Sequence, residues 1–380
     1  MTPEKIPPPI VVTAREHLEE VASEFAAAPR LAIDTESNGF YAYREKVCLL
    51  QISTPQQDYI IDPLAIKDLS ALGPLLADPK IEKIFHAGEY DIICLKRDYR
   101  FRFSRVFDTM IASRLLGFKE LGLAAAIERH FGVKLSKKLQ RADWGRRPLS
   151  PEQIRYAQLD THYLMRLADI QKELLERKGR LQDANEAFAE LAALEHLQKP
   201  FDPDGFWRLA VRGRLNGVQA ACLREIYLLR EEAAQSRDRA PFRVMPEDLM
   251  VRVAQEAPTA AEELSKVRGM SPYLLERYGQ ALLKAVARGL DSQPLVQAAP
   301  PPHRRMPPRE WRLYEELRAW RKRTAEQEGA APVDVLSTDS LKRLASQAIE
   351  DAGDPLSSLS ELKRQRYGVE LLKIIRDAFA

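Results

Sequence analysis

In Leu31-Ala32-Ile33-Asp34-Thr35-Glu36 an apolar strand runs directly into two carboxylates, and this junction is the first indication of the fold. Side chains alternate along a strand, so Asp34 and Glu36 point to the same face. Two neighbouring anions repel each other unless one is protonated or a cation joins them, and divalent ions with oxygen ligands are the usual resolution. A bare Asp-x-Glu is more often a strand that ends in a polar turn, so the pair needs partners from elsewhere in the chain.

A second motif, His86-Ala87-Gly88-Glu89-Tyr90-Asp91, follows a predicted strand over residues 81–85. The change from strand to helix there would bring Asp91 to the carboxyl end of the sheet, where sites form in α/β proteins. Asp91 could instead be a carboxylate in the first turn of a helix, favoured by the helix dipole. A histidine that closes a strand suits packing or hydrogen bonding better than metal binding, so His86 is left out of the predicted metal site.

The third motif lies on a helix whose start is marked by Ser150 as N-cap, Pro151 in the first helical position and Gln153 three residues after the cap. Tyr156 and Asp160 are four residues apart and share one face of this helix. A phenol and a carboxylate facing the same way suit a site in which Asp160 binds metal and Tyr156 orients a water. The spacing alone is commonplace, and it becomes specific only together with the other two motifs.

The first 170 residues alternate strand-like and helix-like segments, which is typical of an α/β layer fold. Strands are predicted at residues 31–35, 47–53, 58–61 and 81–85, and helices at residues 16–27, 68–76, 90–97, 109–116 and 123–131. The first three strands follow one another closely, which favours antiparallel neighbours. We therefore expect a mixed sheet covered by helices.

The C-terminal half is predicted to be helical and duplicated. Arg277-Tyr278-Gly279 recurs as Arg366-Tyr367-Gly368, at an offset of 367 − 278 = 89 residues. Any two helical bundles share Leu and Arg patterns, but a shared Arg-Tyr-Gly makes chance the weaker explanation. The predicted domains are residues 1–200, an α/β domain; 201–290, a helical module; 291–308, a proline-rich linker; and 309–380, a second helical module.

Composition limits the function classes. Of 380 residues, 45% are hydrophobic and 30% charged, as in a globular protein. No apolar run approaches the roughly 18 residues that cross a bilayer, so we expect a cytoplasmic protein without a membrane partner. The net charge of +3 is too small to indicate nucleic-acid binding by itself. The basic stretch over residues 304–323 could be a phosphate-binding face or a solvated helix flank.

In order and spacing, the three motifs resemble those of the DEDDy family of 3′-5′ exonucleases, which has a ribonuclease H-like fold. Tyrosine four residues before the last aspartate resembles the tyrosine branch of that family. Residues 139–149, Leu-Gln-Arg-Ala-Asp-Trp-Gly-Arg-Arg-Pro-Leu, are similar to the corresponding segment of bacterial ribonuclease D. The domain order is similar too, since the two helical modules resemble helicase-and-ribonuclease-D C-terminal (HRDC) domains.

The resemblance implies a role for each residue of the site. Asp34, Glu36 and Asp160 would bind one metal ion, and Asp34 with Asp91 would bind a second. Tyr156 would hydrogen-bond the attacking water, because a phenol with its ordinary pKa near 10 is a poor base at neutral pH. An all-oxygen ligand set without Cys or His favours Mg²⁺ or Mn²⁺ over zinc.

The expected substrate contacts keep their alternatives. Phe40 and Tyr41 could stack on terminal bases, or could pack a loop. Arg141, Arg146 and Arg147 could meet phosphates, although Arg147 could equally bridge to a local acid. The HRDC-like modules would hold RNA through Lys and Arg.

The second module departs from the family pattern. Arg268-Gly269-Met270 resembles the family's helix-hairpin turn, whereas Leu362-Lys363-Arg364, placed opposite it in the repeat, has no glycine. This departure favours a packing or domain-closing role for the second module over nucleic-acid binding.

The resemblance implies a monomeric 3′-5′ exoribonuclease that releases nucleoside 5′-monophosphates, with tRNA precursors as the RNA partner. A DNA 3′-5′ exonuclease is one alternative, which the two C-terminal modules without a helicase or polymerase segment disfavour. A catalytically silent RNA-binding scaffold is another. The presence of all four carboxylates and of Tyr156 counts against it.

Overall fold

The computed structural model describes residues 6–196, 200–297, 306–349 and 353–379. Its N-terminal domain is built on a sheet with strands β1 (Ile10–Val12), β2 (Arg30–Ser37), β3 (Val47–Ser53), β4 (Asp58–Ile61), β5 (Glu82–Phe85) and β6 (Val106–Asp108). The strand order is β1-β4-β3-β2-β5-β6. β2, β3 and β4 are antiparallel neighbours, whereas the other three pairings are parallel. The predicted mixed sheet is confirmed.

The sequence prediction misses the two strands at the edges of the sheet. β1 and β6 have three residues each, too few for an alternation of apolar and polar side chains to be recognised. Both are recruited by parallel pairing, β1 with β4 and β6 with β5. Their strand conformation therefore depends on neighbours that are distant in sequence.

Helices cover both faces of the sheet. They are α1 (Arg15–Ala27), α2 (Gly73–Ala77, after a 3-10 turn at Ser70–Leu72), α3 (Glu89–Tyr99), α4 (Thr109–Leu115), α5 (Leu123–Phe131), α6 (Pro151–His162), α7 (Leu164–Arg177) and α8 (Leu181–Ala193). The core around Leu31 and Ile33 is closed by α1, α2 and α3. On the opposite face, α4, α7 and α8 pack around Ala32, and α6 lies against β2, β3 and β4.

After residue 200, every described element is a helix. The elements are α9 (Phe206–Arg212), α10 (Gly217–Ser236), α11 (Pro241–Val244), α12 (Glu247–Glu256), α13 (Ala261–Lys266), α14 (Pro272–Asp291), α15 (Pro308–Glu328), α16 (Pro332–Val335), α17 (Thr338–Ile349) and α18 (Glu361–Phe379). They form two separate hydrophobic cores, the first from Phe206 to Val286 and the second from Leu313 to Ile375. None of the described helices is both long and apolar enough to span a membrane.

The two helical modules repeat each other helix by helix. α10, α11, α12 and α14 correspond to α15, α16, α17 and α18, and both α11 and α16 begin with proline. The first module has the additional short helix α13, whereas residues 353–360 of the second form a bend and turns.

The structure corrects the predicted alignment of the hairpin turn. Leu362-Lys363-Arg364 lies inside α18, not in a turn. Ser271 caps α14 and Ser360 precedes α18, an offset of 360 − 271 = 89, so the same offset pairs Gly269 with Ser358. Gly269 has a φ of +96°, in the left-handed region that glycine enters without strain. Serine stands in its place, so the turn differs between the copies.

The predicted linker connects α14 to α15. α14 runs to Asp291 and α15 begins at Pro308. Leu295 is attached to the first module, since its backbone N–H donates to the carbonyl of Gly217 at 2.9 Å. Residues 298–305, including Arg304 and Arg305 of the basic stretch, lie outside the described residues.

Candidate active site

Three of the four predicted carboxylates meet at the end of β2. Asp34 and Glu36 lie on this strand and Asp160 lies on α6, and one ligand oxygen from each falls within 4.8 Å of the others. Strand periodicity places the first two on one face, and the packing of α6 on the same face brings the third. The group contains oxygen donors only, which suits a hard divalent cation.

Local contacts fix α6 over the sheet. Ser150 and Gln153 form a reciprocal capping box at its start, with N···O distances of 3.2 and 3.0 Å. Near its end, the hydroxyl of Thr161 lies 2.7 Å from that of Ser53 on β3. The helix that carries Asp160 is therefore held at both of its ends.

Asp91 lies beside this group but outside it. It is buried in the first turn of α3, and its Oδ1 accepts hydrogen bonds from the backbone N–H of Thr35 at 2.9 Å and from the Thr35 hydroxyl at 2.5 Å. Oδ2 takes part in neither bond. The residue between Asp34 and Glu36 thus ties the second motif to the first.

A buried acid that the sequence analysis missed positions the second motif. Asp108, at the end of β6, caps α4 and also accepts from the N–H of Gly88 through Oδ2 at 2.8 Å. A Cβ on Gly88 would lie 2.5 Å from the Cβ of Phe85, so this close approach requires glycine. Ala87 has a left-handed φ of +59°. The available signal was an acid directly before a predicted helix at Thr109.

The electrostatics of the site favour a bound cation. Burial, together with repulsion from Asp91, Asp160 and Glu36, raises the pKa of Asp34 well above its ordinary value. Burial, followed by repulsion from Asp160 and Asp91, raises the pKa of Glu36 to about 9. Burial and the charge of Asp91 also raise the pKa of Asp160. Without a cation these carboxylates cannot all be ionised near neutral pH, so the residues fit a divalent metal ion.

Tyr156 and His86 contact different neighbours. The ring of Tyr156 packs against the buried Trp144, with centroids 5.9 Å apart. Burial and the nearby charge of Asp160 raise its pKa, which keeps the phenol protonated. His86 Nδ1 lies 2.8 Å from the Thr109 hydroxyl, and burial lowers its pKa to about 4. The imidazole is neutral and outside the carboxylate group.

Two clefts open beside the carboxylates. One, of about 570 Å³, includes Glu36 and is bordered by three exposed aromatic rings: Phe40, Tyr90 and Phe242, which are 53%, 51% and 51% exposed. The other, of about 580 Å³, includes Tyr156 and Asp160 with the exposed Lys138 and Arg155. The sequence did not identify Tyr90 or Phe242 as residues of this cleft. Phe242 reaches the cleft only because the first helical module docks there.

The structure separates the predicted substrate contacts. Phe40 is exposed, with the Arg141 guanidinium 6.0 Å from its ring centroid. Tyr41 is packed instead: its hydroxyl donates to the carbonyl of Arg141 at 2.9 Å, and the Arg243 guanidinium lies 3.8 Å from its ring centroid. Of the two aromatic residues, Phe40 is the one that is free to stack.

Of the two alternatives for Arg147, the structure favours the bridge to a local acid. Its Nε and one terminal nitrogen donate to both oxygens of Asp62, at 2.6 and 2.9 Å. The remaining N–H groups donate to the carbonyls of Cys48, Trp144 and Arg146. All five donors are used within the protein, so Arg147 bridges to a local acid and braces the segment that carries Trp144.

Comparisons with known proteins agree with this architecture. Residues 9–176 match a 3′-5′ exonuclease family, and residues 219–286 and 310–375 each match the HRDC domain. Ribonuclease D of Granulibacter bethesdensis is 30% identical over 382 residues, which cover 97% of this chain and 93% of that protein.

Two further similarities involve a curated relative and a solved structure. The exosome complex component 10 homolog of Caenorhabditis elegans is 31% identical over 75% of this chain, which spans only 33% of that protein. The solved catalytic core of RRP6 from Trypanosoma brucei is 31% identical with a TM-score of 0.70, covering 76% of this chain and 81% of that one. Because its similarity to a ribonuclease D extends over nearly the whole of both chains, the protein belongs to the ribonuclease D family.

Proposed function

We propose that the protein is a 3′-5′ exoribonuclease that hydrolyses RNA from its 3′ end with two divalent metal ions, Mg²⁺ or Mn²⁺. The observation that carries this proposal is the convergence of Asp34, Glu36 and Asp160 within 4.8 Å, with Asp91 held beside them. Asp34, Glu36 and Asp160 would hold one ion, and Asp34 with Asp91 the other.

The residues around the ions have separate tasks. Two divalent ions bound there would lower the pKa of an attacking water and stabilise the leaving 3′ oxygen. Tyr156 lies one helical turn from Asp160, and its protonated phenol orients that water. Thr35 keeps Asp91 turned towards the site through its backbone and hydroxyl.

The two clefts suit different parts of an RNA 3′ end. The rings of Phe40, Tyr90 and Phe242 offer stacking surfaces, which grip bases without reading their sequence. Lys138 and Arg155 in the other cleft can bind phosphates. Arg141, which lies beside Phe40, can do the same.

The substrate is proposed from the relatives, which include a ribonuclease D and exosome components. We propose RNA as the polymer and tRNA precursors as the natural substrate, acted on in the cytoplasm by a monomer. Light scattering at micromolar concentration tests the oligomeric state.

The test uses a 3′-extended tRNA and a DNA strand of the same sequence, each labelled at the 5′ end. With Mg²⁺ or Mn²⁺ we expect stepwise shortening of the RNA and release of nucleoside 5′-monophosphates. Asp34→Ala and a chelator should each abolish this, whereas Asp169→Ala, on an exposed part of α7, should not. Faster cleavage of DNA would overturn the choice of polymer. Absence of metal-dependent cleavage of either polymer would overturn the proposed enzyme.

A further inference from the structure

Gln51 is a fully buried amide whose hydrogen-bonding capacity is unused. Its side chain is 0% exposed, and within the described parts of the chain neither Oε1 nor Nε2 has a hydrogen-bond partner. Buried polar groups in folded proteins are nearly always paired, because an unpaired one loses its bonds to water without replacement. A missing partner at this position therefore needs an explanation.

The strand register places Gln51 next to the carboxylates. Gln51 on β3 lies directly opposite Asp34 on β2, and opposed residues of an antiparallel pair have their side chains on the same face. Leu49, two residues away, lies opposite Glu36 in the same register. α6, which carries Asp160, covers this face, so the amide is enclosed between the sheet and the helix of the metal ligands.

The neighbouring polar groups on this face are already satisfied. Ser53, two residues further along β3, donates to Asp58 at 2.6 Å and contacts the hydroxyl of Thr161 at 2.7 Å. Asp58 also accepts from Gln158 Nε2 at 2.7 Å. The amide of Gln51 lies between this completed network and the carboxylate group, so the metal site is where it can find a partner.

We infer that Gln51 is a positioning residue of the metal centre, whose Nε2 donates to Asp34 once divalent ions are bound. A carboxylate that binds a cation through one oxygen leaves the other oxygen to accept from a neighbouring donor, and such bonds orient the ligand. Gln51 would fix the rotation of the proposed bridging ligand. The inference rests on the proposed metal site, and its readout is metal affinity rather than RNA cleavage.

Gln51→Met tests this, because methionine has a similar length and removes both polar atoms. We expect the metal-free variant to unfold at the same or a higher temperature than the wild type, since an unpaired amide is lost. Its affinity for Mn²⁺, measured from the paramagnetic resonance signal of free Mn²⁺, should fall roughly tenfold or more. Gln51→Leu should give the same pattern if methionine packs poorly.

Gln171→Met is the matched control. Gln171 is also 0% exposed, but its Nε2 is paired with the carbonyl of Thr109 at 3.0 Å and the hydroxyl of Ser113 at 2.8 Å. This variant should lower the melting temperature and leave Mn²⁺ affinity unchanged. Wild-type Mn²⁺ affinity in both Gln51 variants would overturn the inference. If the wild type binds Mn²⁺ but cleaves no RNA, the proposed function fails, whereas the affinity test of Gln51 stands.

Discussion

The short helices α11 and α16 occupy equivalent places in the two helical modules and contact different parts of the exonuclease domain. Their sequences are Pro-Phe-Arg-Val and Pro-Val-Asp-Val. Arg243 in α11 donates to the carbonyl of Phe40 and covers the ring of Tyr41, beside the carboxylates. Asp334 in α16 accepts from Arg114 Nε at 2.8 Å, on α4. A single change of charge in a duplicated helix thus accompanies two different docking sites.

Further equivalent pairs extend the contrast. Arg277 of the first module is exposed, whereas Arg366 of the second donates to both oxygens of Asp183 on α8, at 2.8 and 2.7 Å. Glu328, at the end of α15, pairs with Arg180 at 2.7 Å. The second module is therefore attached by ion pairs to residues in and next to α8 of the exonuclease domain. The first module contributes the exposed Phe242 to the cleft beside Glu36.

The largest change in the free energy of unfolding is expected at the carboxylate site and not in the helical modules. A carboxyl group whose pKa is raised by folding binds more protons in the folded state between its two pKa values, so the free energy of unfolding falls as pH rises through that window. For Glu36 the window runs from the ordinary 4.5 to about 9. Without metal, the exonuclease domain should lose on the order of a few kcal/mol between pH 5 and pH 9.

Chemical denaturation at a series of pH values measures this effect. Glu36→Gln should flatten the slope, and Mg²⁺ should restore stability most at high pH, because protons and the cation compete for the same oxygens. The same slope in wild type and Glu36→Gln would contradict the electrostatic account of the site.

Asp334 attaches the second module to the exonuclease domain through Arg114. The side chain of Asp334 is only 2% exposed, so Asp334→Ala leaves Arg114 partly buried and without this partner. We expect a loss of about 2 kcal/mol, less than for a fully buried pair because Arg114 reaches solvent. Urea denaturation measures it. Cleavage of a short oligonucleotide should stay within about twofold, since neither Asp334 nor Arg114 belongs to the carboxylate group. A large loss of activity would contradict the division of roles.

The exposed ring of Phe242 is the part of the first module that borders the cleft beside Glu36. Phe242→Ala should lower kcat/KM for RNA roughly tenfold, since stacking of a base on an aromatic ring contributes about 1–3 kcal/mol. Val333→Ala, the equivalent change in the second module, should leave kcat/KM unchanged. Equal kcat/KM for the Phe242 variant and the wild type would exclude this ring from the substrate path.

The smallest change in the free energy of unfolding is expected for the repeated arginines, Arg366 and Arg277. Arg366→Ala should lower the free energy of unfolding by about 1 kcal/mol, because its ion pair with Asp183 is partly exposed. Arg277→Ala, at the exposed equivalent position, should be neutral. Denaturation of the two variants side by side checks this, and equal losses would indicate that Arg366 does not dock the module.

The sequence predicted those parts of the molecule whose signals are local. The run into Asp34 and Glu36, the cap at Ser150 and the pair Tyr156 and Asp160 each lie within a few residues, and the structure brings the carboxylates together. The edge strands escaped prediction because three residues carry no period.

Other contributions depend on distant partners. Phe242 reaches the site only through docking of the first module. Asp108, at the end of β6, accepts a hydrogen bond from Gly88, which follows the neighbouring strand β5. Arg147 shows the converse, since a basic residue near the site is fully occupied by Asp62 and three carbonyls. Sequence spacing identifies charge, but only packing shows whether that charge is available.

In the proposed site, four carboxylates hold two metal ions with Asp34 between them. A crystal soaked with Mn²⁺ tests it through anomalous scattering at the manganese edge. We expect two peaks roughly 4 Å apart, one bounded by Asp34, Glu36 and Asp160 and the other by Asp34 and Asp91. A single peak, or two peaks that do not share Asp34, would contradict it.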